Sequence, residues 1–172
     1  ALGRYTFRGQ GATNLVMFSA ISAPEVVMGA GLLSMFLTMN IATGFWTIVI
    51  SHVMFSVSFV AITVRARVLA LDPSLEEAAR DLGASAWTTF RLVTLPMLTP
   101  ALMAGGLIAF VLSIDDYIIT TFVSGNTSTF PLWIWGTTRV GTPPQVNVMG
   151  TLIFAVGVLL AVVNAVMARR RA

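Results

Sequence analysis

The chain has 172 residues, of which 56% are hydrophobic and only 10% charged, and its mean hydropathy is +0.87. A water-soluble domain of this length cannot bury that much apolar surface, so lipid has to cover part of it. The net charge of +3 comes from ten basic residues, all arginine, which sit at the ends of apolar runs and form no broad basic face for nucleic acid. Cysteine is absent, which excludes disulfides and thiolate metal sites, and His52 is the single histidine, which leaves no histidine–carboxylate cluster at metal spacing. Without lysine no G-x-x-x-x-G-K-[ST] phosphate loop exists, so ATP hydrolysis by that chemistry is excluded.

Four apolar stretches follow in chain order, at residues 15–39, 45–64, 97–123 and 146–168. Each reaches the ~20 residues needed to cross ~30 Å of hydrocarbon as a helix. Backbone groups find no water partner there, so the expected fold is an all-α, polytopic transmembrane bundle. Pro24, Gly29, Gly31, Gly105 and Gly106 fall inside the stretches, where they permit bends and close helix contact. If the stretches alternate across the membrane, Arg4, Arg8, Arg65, Arg67, Arg80, Arg91, Arg169, Arg170 and Arg171 share one side, and only Arg139 lies opposite. The positive-inside rule then makes both termini and the 65–96 loop cytoplasmic and turns loops 40–44 and 124–145 outward. Trp46, Trp133 and Trp135 fall near the outer interface.

The loop between the second and third stretches is too polar to span. Asp72-Pro73-Ser74 reads as a helix start, with Ser74 and Glu77 at capping-box spacing and Glu76 and Glu77 in the first turn. Leu75, Ala78, Ala79 and Leu82 form one apolar, small-residue face, and Gly83 suits a left-handed helix end. Ser85 starts a second short helix, and Leu95-Pro96 marks the return to the bilayer. An amphipathic linker lying on the membrane is the plainer reading, but Glu76, Glu77 and Asp81 would be repelled by anionic lipid.

Two acidic places fall inside apolar stretches. Asp115 and Asp116 lie in the outer half of the third, at a cost of roughly 2.5–3.5 kcal/mol for an aspartate at mid-membrane. Ser113, Asp116 and Thr120 approximate one helical face, and Tyr117 adds a cation–π surface, so a polar, cation-attracting path is one reading. Solvation near the interface, or capping of a neighbouring helix, is the other. Glu25 follows Pro24, where a bend frees a backbone carbonyl beside the carboxylate; a pair with His52 or a partner residue is the alternative. His52 itself reads as an interhelical hydrogen-bond partner before it reads as a ligand.

The run Glu77-Ala78-Ala79, three residues, Gly83, nine residues, Val93, one residue, Leu95-Pro96 resembles the E-A-A-x3-G-x9-I-x-L-P loop of permease subunits in binding-protein-dependent ABC importers, with valine for the usual isoleucine. Pro24-Glu25-Val26-Val27, Gly44-Phe45-Trp46-Thr47, Ser113-Ile114-Asp115-Asp116 and Phe122-Val123-Ser124-Gly125 are similar to the spermidine/putrescine permeases of that class, as is Val140-Gly141-x-x-Pro144-x-Val146-Asn147. The likeness runs the length of the chain, read as one transmembrane domain over residues 1–172. It implies that residues 74–96 form a cytoplasmic coupling loop, with Glu77, Ala78, Ala79, Asp81, Gly83, Leu95 and Pro96 meeting a separate ATPase subunit present in two copies. It also implies a second permease subunit, a periplasmic or lipid-anchored substrate-binding protein, an inner-membrane location, no bound cofactor or metal, and a polyamine path along Asp115, Asp116, Tyr117 and Glu25. Arg4-Tyr5-Thr6-Phe7-Arg8-Gly9 resembles the stretch after the second of six spans, so two preceding spans are expected outside this sequence. Another small solute (iron, thiamine or an opine), or a non-conducting membrane scaffold, are the competing readings.

Overall fold

The computed structural model describes residues 7–139, 141 and 143–169; Arg4, Val140, Arg170 and Arg171, used in the reasoning above, lie outside them. The described residues are helical, with no strand among them. In chain order the helices are α1 (Gln10–Ser22), α2 (Glu25–Thr38), α3 (Phe45–Ala70), α4 (Ser74–Asp81), α5 (Ala86–Thr89), a π-helical turn (Phe90–Thr94), α6 (Leu95–Asp115), α7 (Ile118–Val123), α8 (Phe130–Thr138) and α9 (Pro144–Arg169). Three continuous helical stretches are long and apolar enough to cross a membrane: Phe45–Ala70, Ala86–Asp115 and Pro144–Met167.

The first expected span is not one rod. α1 and α2 meet at 112° across Ala23-Pro24, so the pair is a broken span or a re-entrant loop. Proline explains the position, because it lacks an N–H and disfavours helical geometry in the residue before it; Ala23 is extended, with ψ 136°. α1 packs on α3, and Arg65 of α3 donates to the Asn14 side chain at 2.8 Å. α2 turns away to pack on α7. That contact is close: a Cβ on Gly29 would lie 2.5 Å from the Phe122 ring and 3.3 Å from the Ile119 Cα.

α3 and α6 form the most extensive helix pair, crossing where Gly105 faces Val60; a Cβ on Gly105 would sit 3.1 Å from a Val60 methyl. Leu32, Phe36, Ile48, Phe55, Ile119 and Val123 close the core, drawn from α2, α3 and α7. Lipid is as apolar as these side chains, so the association rests on close packing and interhelical hydrogen bonds. Thr47 supplies one such bond: its hydroxyl, in a side chain 1% exposed, lies 2.7 Å from the Val123 carbonyl at the end of α7 and accepts from Gly44 N–H at 2.7 Å. The two loops expected to face outward meet at this end of the bundle, where Gly125, at φ +55°, approaches the Thr43 carbonyl so closely that a Cβ would fall 2.4 Å from its oxygen.

One further expectation is revised. The third span breaks at Asp116, whose extended backbone (ψ 113°) separates α6 from α7. The outer loop contains α8, started by Pro131 in its first turn. Helix continues through Leu95-Pro96, from Ala86 by way of the π turn into α6, with Leu95 N–H bonded to the Phe90 carbonyl five residues back. Proline in the first turn of α6 removes a donor that the π turn leaves unneeded.

Candidate functional site

The break between α6 and α7 sends two adjacent carboxylates to different neighbours. Asp116 turns inward, with its side chain 6% exposed, toward α3. Its Oδ2 accepts from Thr120 Oγ1 at 2.6 Å and from Thr120 N–H at 2.8 Å, and its Oδ1 accepts from Ile119 N–H at 3.3 Å. Asp116 therefore satisfies the free N–H groups that open α7, as an N-cap side chain does. His52 of α3 completes the cluster: Nε2 lies 2.9 Å from Thr120 Oγ1 and 3.3 Å from Asp116 Oδ2, and Nδ1 lies 2.8 Å from Ser113 Oγ. The histidine is an interhelical hydrogen-bond partner, and its carboxylate partner is Asp116 and not Glu25.

Asp115 is exposed and faces a cavity of about 730 Å³ between α6, α8 and α9. Phe110, Ile114, Tyr117, Trp135 and Phe154 line it, and Asp115 is the charged group among its lining residues. Tyr117 and Trp135 lie with ring centroids 5.2 Å apart, and the Arg139 guanidinium sits 5.5 Å over the Trp135 ring. A single carboxylate beside electron-rich rings and apolar walls suits an organic cation with a hydrocarbon body. The structure thus brings Asp115 and Tyr117 to one cavity and gives Asp116 to the helix junction. Glu25, exposed in the first turn of α2, belongs to neither group. Sequence reasoning put Trp135 at the outer interface and Arg139 on the outer side but missed their place beside the cavity, because that place arises from α8, which the aromatic run 130–135 concealed.

At the other end of α3 lies the loop expected to couple to an ATPase. α4 buries none of its residues, and Glu77, Ala78, Asp81 and Gly83 are exposed, with Leu82 90% exposed. Ala79 is half-buried, and Leu95 and Pro96 are exposed at the start of α6. Its N-terminus is capped differently from the expected Ser74–Glu77 box: Asp72 Oδ1 accepts from Ser74 N–H at 2.9 Å, and Ser74 is already helical. Its C-terminus is a Schellman closure, with Ala84 N–H bonded to Ala79 O, Gly83 N–H bonded to Arg80 O, and Gly83 at φ +83°. Ser85 caps α5 by accepting from Thr88 N–H at 3.2 Å. The element is tied back to the π turn by Thr94 Oγ1, which donates to Glu76 Oε1 at 2.9 Å. The arrangement is a short, exposed helix fastened to the foot of a long apolar one.

Residues 2–171 match the family described as binding-protein-dependent transport system inner membrane component. The chain is 36% identical over 171 residues to the spermidine/putrescine transport system permease protein PotC of Haemophilus influenzae, covering 99% of this chain and 66% of that protein. It is 36% identical to PotC of Escherichia coli K12, over 98% of this chain and 64% of the relative. It is 38% identical to the putrescine transport system permease protein PotI of the same strain, over 95% of this chain and 61% of the relative. The chain therefore spans just under two thirds of the length of the curated relatives it matches. Its fold is similar to a chain of the MetNI methionine ABC transporter in an inward-facing conformation, with a TM-score of 0.77 and 16% identity over 96% of this chain and 76% of that one.

Proposed function

The chain belongs to the family of binding-protein-dependent transport system inner membrane components, and on that premise we propose that it acts within the permease subunit of an ATP-driven importer of polyamines such as spermidine and putrescine. It performs no ATP chemistry itself. Two copies of a separate ATPase subunit dock on α4, a second permease subunit completes the path, and a substrate-binding protein delivers the solute on the outer side. Both ends of this chain and α4 face the cytoplasm. Closure of the ATPases moves α4 through Glu77, Ala78, Ala79, Asp81 and Gly83. Leu95 and Pro96, at the start of α6, and the Glu76–Thr94 tie carry that motion into the spans.

The observation that carries the solute assignment is the cavity with Asp115 as the charged group of its lining beside Tyr117 and Trp135. A polyamine is a chain of methylenes between ammonium groups, so one ammonium meets Asp115 while the hydrocarbon lies on Phe110, Ile114 and Phe154. Glu25 serves as a second acidic point on the path. The similarity to polyamine permeases along nearly the whole chain supports the same class of solute. The test is uptake of radiolabelled spermidine and putrescine by a deletion strain carrying the full-length permease with its partners. Uptake that spermidine, but not iron, thiamine or an opine, competes away supports the assignment; competition by one of those solutes replaces it. ATPase activity that no longer responds to loaded binding protein in Glu77→Arg supports docking on α4, and an unaltered response removes it.

A further inference from the structure

We propose that His52 and Asp116 form a clamp that positions the α6–α7 break, so that of the two adjacent aspartates only Asp115 contacts the transported cation. The proposal deepens the polyamine reading above and rests on it for the identity of the cation alone. Its basis is the place of His52: one ring nitrogen meets Ser113 before the break and the other meets Thr120 after it, from a helix 61 and 68 residues distant in sequence.

The protons can be assigned by counting donors. The Thr120 hydroxyl has one hydrogen, and it goes to Asp116 Oδ2 at 2.6 Å. Thr120 Oγ1 must then accept from His52, so Nε2 carries the ring proton, which also points into the field of Asp116 Oδ2 at 3.3 Å. Nδ1 shares a hydrogen bond with Ser113 Oγ at 2.8 Å. Asp116 accepts three hydrogen bonds, from Ile119 N–H, Thr120 N–H and the Thr120 hydroxyl, and His52 Nε2 lies 3.3 Å from its Oδ2. A carboxylate so occupied and 6% exposed has no room for a passing ammonium. Asp115, one residue earlier, faces the cavity. The clamp fixes the direction in which the chain leaves α6 and with it the aim of Asp115 and Tyr117. Thr120, after the break, is fully buried, where an unpaired hydroxyl is costly.

None of these 172 residues is cysteine, so with any cysteines elsewhere in the assembly replaced a test is open that does not depend on transport. In the full-length permease assembled with its ATPase, an Asp115→Cys reporter is treated with a cationic methanethiosulfonate, and the labelling rate is compared in His52, His52→Leu and His52→Gln backgrounds. Glutamine places an amide N–H near the position of Nε2, and leucine places none. The expected result is a labelling rate changed about tenfold by leucine and restored by glutamine. With Asp115 intact, spermidine uptake follows the same order. An Asp115→Cys rate that is equal in all three backgrounds overturns the clamp. If His52→Leu does not assemble, the Gln background alone decides: a labelling rate unlike that of His52 refutes the donor assignment. Absence of spermidine uptake in the parent, with the labelling order as expected, sinks the polyamine reading and leaves the clamp standing.

Discussion

Replacing Thr47 with valine keeps the shape of the side chain and removes only its hydroxyl. That hydroxyl accepts from Gly44 N–H and lies within 2.8 Å of two carbonyls, Gly44 O and Val123 O. Its one hydrogen serves them alternately, and Val123, fully buried, ends α7, where the carbonyls have no partner within the helix. Thr47→Val therefore orphans a buried acceptor and a part-buried donor. A buried group left unpaired costs about 1–3 kcal/mol, and interhelical hydrogen bonds in membranes contribute about 0.6 and at most about 1.7 kcal/mol. Together these give roughly 2 kcal/mol, or a fall of about 4–8 °C in Tm for a chain of this size. Thr47→Ser keeps the hydroxyl and loses one methyl, at about 0.8 kcal/mol. The assay is thermal unfolding of the full-length permease in lipid nanodiscs, followed by near-ultraviolet circular dichroism. A Thr47→Val protein within 1 °C of the parent, or a serine variant as damaged as the valine one, refutes the hydrogen-bond account and leaves packing as the cause.

Asp115→Asn removes the cavity's charge at constant size, and the apparent KM for spermidine uptake rises about 10- to 100-fold, with assembly on a size-exclusion column unchanged. Arg139→Gln clears the guanidinium from Trp135, and the KM falls about two- to fivefold because the ring face becomes free for the substrate ammonium. Gly125→Ala must put a Cβ 2.4 Å from a backbone oxygen at positive φ, so its folded yield drops sharply, whereas Gly136→Ala, in helix with open space around it, is neutral or stabilising by up to about 1 kcal/mol in the same unfolding assay. Thr94→Val cuts the tie to Glu76, and the stimulation of ATPase activity by loaded binding protein falls about three- to tenfold, with basal hydrolysis by the ATPases retained.

What sequence reveals here follows from whether a signal is local. The bend at Pro24 and the left-handed end at Gly83 are written in single residues whose backbone preferences allow little else. The apolar lengths of α3 and α9 come from the thickness of a bilayer. The break at Asp116 has no proline or glycine to announce it. Its only local mark is an aspartate four residues before a threonine, a spacing that serves a helix cap as well as a polar stripe. The role of His52 rests on contacts more than sixty residues away, and no periodicity within one helix reports them. The capping of α4 shows competition between equally good local solutions: Asp72 and Ser74 both suit the position, and Pro73 between them settles it by taking helical geometry itself (φ −60°, ψ −27°), which leaves the capping to Asp72. The cavity depends on how α8 and α9 lie against α6, which is decided by tertiary packing alone.

The π turn at Phe90–Thr94 sets the rotational phase of everything that follows it. Each residue of an α-helix advances about 100° around the axis. Removing one residue from the α-helical stretch between that turn and Gly105 would therefore swing Gly105 off Val60 and carry Ser113 and the two aspartates about a quarter turn from their partners, although none of them had been touched. Insertions and deletions here ought to be tolerated far worse than substitutions. Related chains should differ freely in side chains along this foot while holding its length constant, as gear teeth are free in colour but not in number.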